Sequence, residues 1–311
     1  MGVLKEESAH PGLARRSTYT DTYSFVKLIG EGGQGKTELV KRKRDQKVLV
    51  RKVQKIFDMA GDIPLEMKVF EDVLTPHPSI VYFDHANYLK KDKSLVLYFE
   101  HCEGGDLDKH VPGKHYVSED FIWCVFVQLA SALAFLHYGI SRKHPNSTPA
   151  GWTRVVHRDV KPGNVFLRRP ITSKRPTPDV VLGDFGLATT EQETWGCGTY
   201  PYTGPEWPVV TKQGDVWGLG AIIHSLAHGQ APVGPPPRNW PSGHAAMKQW
   251  YCDPENKNPK PMSTRYSDRL NRNMMDCLTK DPNKRVNSKI LLQNLLKEMP
   301  KRLTKDLSAK Y

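Results

Sequence analysis

The sequence predicts an α+β chain built as two lobes, a small one around a five-stranded β-sheet and a larger, mainly helical one. Three observations predict it. The 311 residues exceed the roughly 250–300 at which single hydrophobic cores tend to split. Up to residue 100 the apolar positions fall in short β-branched and aromatic runs bounded by turn residues, the mark of strands. From Ser118 onward long stretches carry them at helical spacing.

Taken in order, residues 1–22 are polar and show neither period, so a flexible tail is expected there. One domain should follow over 23–303, with the small lobe at 23–101, the larger at 102–303 and a C-terminal tail at 304–311. The run FVKLIGEGGQGKTELVKRKRDQKVLVRKV reads as three strands whose first hairpin is glycine-rich at Gly30, Gly32 and Gly35. DIPLEMKVFEDVL sets Leu65, Val69 and Val73, with Met67, Phe70 and Leu74, at mixed spacings of three and four, a helix with a broad apolar face. HPSIVYF and SLVLYFEH, around the charged turn KKDK, supply two more strands and complete the five. Ser118, with Glu119 and Asp120 in the first turn, caps a long apolar helix through His137. Its periodicity, just before the motif described below, argues for a core helix and against membrane insertion. Segments 141–154 and 168–179 read as polar surface loops, the second between two short strands. The proline-rich stretch 230–261 reads as loop, and two short helices close the chain within 265–296.

The net charge of +12 suits acidic partners, nucleic acid or anionic lipid. No zinc, RNP or helix-turn-helix pattern accompanies it, so a specific nucleic-acid partner is not expected. Five cysteines without CxxC spacing indicate reduced thiols and a cytoplasmic and/or nuclear protein. The N-terminus carries charges where a signal peptide needs an apolar run, so a soluble protein is expected. Oligomeric state leaves no mark in the sequence.

The chemistry concentrates in HRDVKPGN, residues 157–164, and in DFG, residues 184–186, twenty residues further on. The first packs an acid, a lysine and an amide into eight positions; the second adds another carboxylate. GxGxxG alone is weak, because dinucleotide-binding folds share it, but there a helix follows, whereas here a basic strand leads to Lys52. With the order of these parts, the chain resembles eukaryotic-type serine/threonine protein kinases over residues 23–303. The stretches YFEHCEGGDL, GTYPYTGPE and YSDRLN resemble the NIMA-related group.

That resemblance implies the protein kinase fold, with helix C in the small lobe. It also implies ATP and Mg2+ as cofactors and Ser/Thr-bearing proteins as substrates. Asp159 would accept the hydroxyl proton, Lys161 would neutralise developing charge, Lys52 would pair with the phosphates, and Thr199 would help select the acceptor. Asn164 and Asp184 would hold metal. Ile29, Gly30, Glu31, Gly32, Gly33, Gly35, Thr37 and Val50 would cover the nucleotide, Glu66 would pair with Lys52, and Glu100, Cys102 and Asp106 would meet adenine and ribose. Glu71 is the rival to Glu66. Asp215 and the pair Glu206–Arg285 would be structural, and His157 and Phe185 packing residues. Thr194 is the candidate phosphothreonine for Arg158, with Glu191 or Glu193 as partial substitutes. Departures from the family pattern are Thr37 for valine, and Val50 and Gly204 for alanine. A pseudokinase scaffold with little turnover is the alternative, and its mark would be a missing Lys, Asp or Asn.

Overall fold

The computed structural model describes residues 19–32, 35–55, 65–89, 93–111, 117–141, 144, 146–191 and 194–308. The chain divides into two compact units: residues 1–76 with 81–102, and residues 77–80 with 103–311.

The smaller unit opens with a helical turn, α1 (Tyr19–Thr22), then β1 (Tyr23–Gly32), β2 (Gly35–Arg42) and β3 (Val48–Lys55). After it come α2 (Leu65–Lys68), prolonged by a wider π turn over Val69–Val73, then β4 (Phe83–Leu89) and β5 (Ser94–Glu100). The five strands form one antiparallel sheet in the order β1-β2-β3-β5-β4. Side chains alternate across a strand, so β3 sends Leu49, Arg51 and Val53 to one face and Val50, Lys52 and Gln54 to the other. The first face closes a core of Tyr23, Val40, Leu49, Val96 and Tyr98, against which Tyr19 and Val53 pack. Tyr19 stacks on Tyr23 at 5.9 Å and lies 4.4 Å from the Arg51 guanidinium. Residues 19–22, expected in the tail, are therefore part of this unit.

HPSIVYF is not the fourth strand. Pro78 has no N–H to give a ladder, and Ser79 N donates to His77 Nδ1 (3.1 Å) instead. The His77 ring stacks on Phe135 at 4.6 Å, and Ile80 makes a single bridge to Leu182. Residues 77–80 thus belong to the larger unit, and the strand runs from Phe83. Burial pushes the His77 imidazole down to about 3, so it is a neutral core group.

The larger unit contains β6 (Gly105–Asp106), α3 (Glu119–Tyr138), β7 (Val165–Leu167), β8 (Val180–Leu182), β9 (Thr194–Trp195), β10 (Val209–Val210) and α4 (Lys212–His228). It ends with α5 (His244–Cys252), α6 (Asp268–Cys277), α7 (Ser288–Glu298) and α8 (Lys301–Ser308). The Ser118 hydroxyl accepts from Phe121 N at 3.3 Å and starts α3, and left-handed Gly139 ends it. By length and composition α3 is the one described helix that qualifies as a membrane span, yet every residue from Phe121 to His137 is buried among its neighbours in this unit. A Cβ on Gly218 would stand 2.7 Å from Val160 O, so glycine lets α4 press against the loop carrying HRD.

Two expectations fail here. Within 230–261, α5 forms between Pro241 and Pro254, and Trp250 Nε1 donates to Gly234 O at 2.9 Å, tying the proline-rich segment to it. The tail expected at 304–311 is helix through Ser308, with Leu303 and Leu307 buried.

Candidate active site

In the smaller unit the face of β3 that carries Lys52 also carries Gln54, and both reach Glu66 on α2. Lys52 Nζ lies 2.9 Å from Glu66 Oε2, and Gln54 Nε2 donates to the same oxygen at 2.8 Å. Glu66 is 2 % exposed, so this carboxylate is desolvated and held by one cation and one amide. Of the two glutamates considered, Glu66 is the one seen paired with Lys52. Gln54 was missed by sequence reasoning, although its place two residues after Lys52 put it on the same face.

Gly30 pairs with Thr37, Glu31 with Lys36 and Gly32 with Gly35 across the β1–β2 hairpin; Gly33 lies outside the described residues. At Gly35, with φ +139°, a Cβ would fall 1.9 Å from Val53 O, so no other residue fits. Gly30 has nothing within 4 Å of its Cβ position, and Ile29 is exposed. Thr37 stands opposite Lys52, and Val50 opposite Leu39 and Phe99. At the end of β5 the Glu100 backbone N–H donates to Tyr82 O and its carboxylate accepts from Tyr82 N. Cys102 is half-buried.

In the larger unit HRDVKPGN closes on itself. Asp159 Oδ1 accepts from Thr199 N (2.9 Å) and Thr199 Oγ1 (2.8 Å), while Lys161 Nζ lies 2.8 Å from Asp159 Oδ2 and donates to Thr199 Oγ1 at 2.7 Å. Asn164 Nδ2 donates to the Asp159 carbonyl and to Oδ2. Both bonds use its nitrogen, which leaves the amide oxygen, the atom a hard cation takes. Asp184 is exposed and left-handed at φ 57°, and Arg158 is left-handed at φ 71°. Such backbone is uncommon away from glycine and concentrates at functional sites. Asp106 pairs with Lys109 at 2.8 Å; partial burial pushes its carboxyl up, but the ammonium holds it below the usual range.

The loop hangs from Asp215. Its carboxylate accepts from His157 N (2.7 Å) and Arg158 N (2.8 Å) and lies 3.0 Å from His137 Nε2. His157 Nε2 donates to Gly183 O at 3.0 Å, its Nδ1 accepts from Asp159 N, and its ring meets Phe185 edge-on at 4.8 Å. Packing and bracing account for both side chains. Arg285 forks onto Glu206 at 2.6 and 2.8 Å and also donates to the carbonyls of Gln213 and Thr279.

The phosphothreonine expectation meets a different arrangement. Thr194 is buried in the β9–β10 pair with its hydroxyl unpartnered among the described residues, and Arg158 Nε donates to the Cys197 sulfur at 2.8 Å. Burial pushes the Cys197 thiol up, so this acceptor is neutral. Glu191 is exposed, and Glu193 lies outside the described residues. A further residue unforeseen in the sequence is Lys257. It is wholly buried, its Nζ donates to Tyr200 O at 2.8 Å, and burial lowers its ammonium to about 8.

Comparison with known proteins agrees with this geometry. The protein kinase domain model matches residues 23–296. The G2-specific protein kinase nim-1 of Neurospora crassa is 31% identical over 300 residues, 88% of this chain and 33% of that protein. The G2-specific protein kinase nimA of Emericella nidulans is 32% identical over 238 residues, 68% of this chain and 33% of that one. The serine/threonine-protein kinase Nek2 of Mus musculus is 33% identical over 222 residues, 66% of this chain and 46% of that one. The chain spans about a third to a half of the length of these relatives. A match over most of the chain, together with a Lys52–Glu66 pair and an HRD loop braced by Asp215, makes the chain a member of the protein kinase family, similar to its NIMA-related group.

Proposed function

We propose that the chain is an ATP-dependent serine/threonine protein kinase that transfers the γ-phosphoryl group of Mg-ATP to hydroxyls of protein substrates. The observation that carries this reading is the Asp159–Lys161–Asn164–Thr199 cluster, in which Asp159 is within hydrogen-bond distance of the other three and Lys161 of Thr199. Asp159 keeps its carboxylate fixed by Thr199 and Asn164, ready to accept the proton of an incoming hydroxyl. Lys161 stands beside it as the cation for charge developing on the transferred group. Asn164 and Asp184 present the oxygens that suit Mg2+, which takes one or two protein ligands and completes its shell from phosphate and water. Bound there, the metal would neutralise phosphate charge. Lys52, fixed by Glu66, is the phosphate partner in the smaller unit, and Gly30–Gly35 the cover.

A scaffold without turnover would tolerate loss of one of these groups, and none is missing. Five cysteines free of disulfide fit a reducing compartment, and we place the activity in the cytoplasm and/or nucleus. The test is transfer of radiolabel from ATP to a generic basic protein, with Asp159→Asn and Asp184→Asn as controls. Asp159→Asn should lower kcat by about 10²–10⁴-fold with unchanged circular dichroism. Wild-type protein that binds ATP but transfers nothing would leave the scaffold reading.

A further inference from the structure

The segment joining β7 to β8, residues 168–179, carries four cations and one carboxylate. Arg168 is used inside the fold, donating to Pro78 O and lying 3.7 Å from Asp179. Arg169, Lys174 and Arg175 are exposed and make no ion pair among the described residues. The loop that holds them is firmly built. Thr172 and Arg175 pair through both backbone bonds, and Arg168 N donates to Asp179 O. Gly104 lies so close that a Cβ there would be 2.5 Å from Arg169 O. Gln128, buried in α3, grips the returning arm from both ends of its amide, donating to Pro178 O at 3.0 Å and accepting from Val180 N at 3.1 Å.

Beside the loop opens a pocket of about 380 Å³. Arg169, Lys174 and Arg175 line its exposed side, Asp179, which faces Arg168, is the one carboxylate among the lining residues, and Cys124, Pro178 and Leu307 are its buried, apolar part. A merely solvated charged face needs neither an apolar recess nor a buried amide to fix it.

We propose that this pocket docks an acidic segment of a partner protein, with one apolar side chain in the recess and its flanking carboxylates on the three cations. Guanidinium groups take carboxylates through paired hydrogen bonds, and the recess supplies the register that charge alone lacks. Charge complementarity selects the occupant. Single-stranded nucleic acid would want aromatic faces to stack on, and no aromatic residue lines the pocket. A bilayer is met by a protruding apolar face, whereas here the apolar part is the floor.

The site goes beyond the catalytic reading and is tested without ATP. Fluorescence anisotropy is followed with a short labelled peptide bearing one Leu among Glu residues, the same peptide with Ala for Leu, phosphatidylserine vesicles and a single-stranded DNA oligonucleotide. The Leu peptide should bind wild type and lose about tenfold or more in affinity in R169E/K174E/R175E, a difference of about 1.4 kcal/mol or more. The Ala peptide should bind about as weakly as that variant does. An unchanged circular dichroism spectrum would show that the variant is folded. Binding indifferent to the three charges, equal binding of both peptides, or tighter capture of vesicles or DNA through the same cations would each overturn the proposal.

Discussion

Gly204 is a departure from the alanine of the family pattern. A Cβ there would be 2.3 Å from Glu206 Oε2, and moving that carboxylate would disturb the two bonds by which Arg285 holds its oxygens. Gly204→Ala is therefore expected to cost about 1–3 kcal/mol, the usual scale of overpacking, read as a lower urea midpoint. An unchanged midpoint would mean the pair adjusts freely. Val50 is the opposite departure, larger than the family's alanine, half-buried beside Lys52 on the same face of β3. Removing its two methyl groups should relieve overpacking of about 1–3 kcal/mol, so Val50→Ala should bind ATP about five- to 150-fold more tightly in a direct titration. Binding that is unchanged or weaker would show a pocket already relaxed around valine. The candidate site was legible at this scale because Asp159, Lys161 and Asn164 fall within one short loop, where spacing in sequence is spacing in space. His137 was not, because the Asp215 carboxylate it meets is supplied by a distant segment, and Gln54 was marked only by sharing a strand face with Lys52.

Elements were legible where burial imposes a period. The helix from Glu119 to Tyr138 and the first three strands follow from the pattern alone, whereas HPSIVYF carries strand-like residues but is governed by Pro78 and the His77 stack on Phe135. The helix α5 was hidden among prolines that bound it without entering it. Next to it, Lys257 braces the turn Tyr200–Tyr202 through the Tyr200 carbonyl, with Cys252 and Glu206 the titratable groups that act on it electrostatically. Burial lowers its ammonium from 10.5 to about 8. Between those values the unfolded chain binds more protons than the folded one, so stability rises as pH increases from about 8 to 10.5. The full gain is about 3 kcal/mol on the scale of 1.36 kcal/mol per unit. Below about 8 the folded protein carries the whole cost of the buried charge. Lys257→Met should flatten this rise in urea midpoints measured against pH. It should also raise KM for a peptide substrate while leaving KM for ATP unchanged, since it frees the Tyr200 carbonyl and touches no nucleotide residue. A slope retained in the variant would assign the pH dependence to another group.

For the whole molecule, the limits of the fold were the least legible feature, because short terminal pieces carry too few residues to show a period. The kinase match ends at 296, yet Met299, Leu303 and Leu307 are all buried beyond it, and Tyr19 packs before its start at 23. Burying a leucine contributes about 1.5–3 kcal/mol, so the two leucines of α8 hold about 3–6 kcal/mol of a total that is commonly about 5–15. Chains ending at 308, 303 and 296 should accordingly unfold at successively lower urea concentrations, the last step being the larger. All seven tryptophans belong to the unit formed by residues 77–80 and 103–311, so their fluorescence follows that unit alone. Starting the chain at 23 instead of 19 removes Tyr19 from Tyr23 and Arg51 in the other unit, and should leave the tryptophan transition in place. If the chain ending at 296 unfolded at the same urea concentration as the one ending at 308, α8 would be an ornament on the fold and its leucines would contribute little. If the loss appeared as expected, the stable kinase body would be longer than the family pattern, and activity measured on a chain cut at 296 would report partial unfolding as well as chemistry.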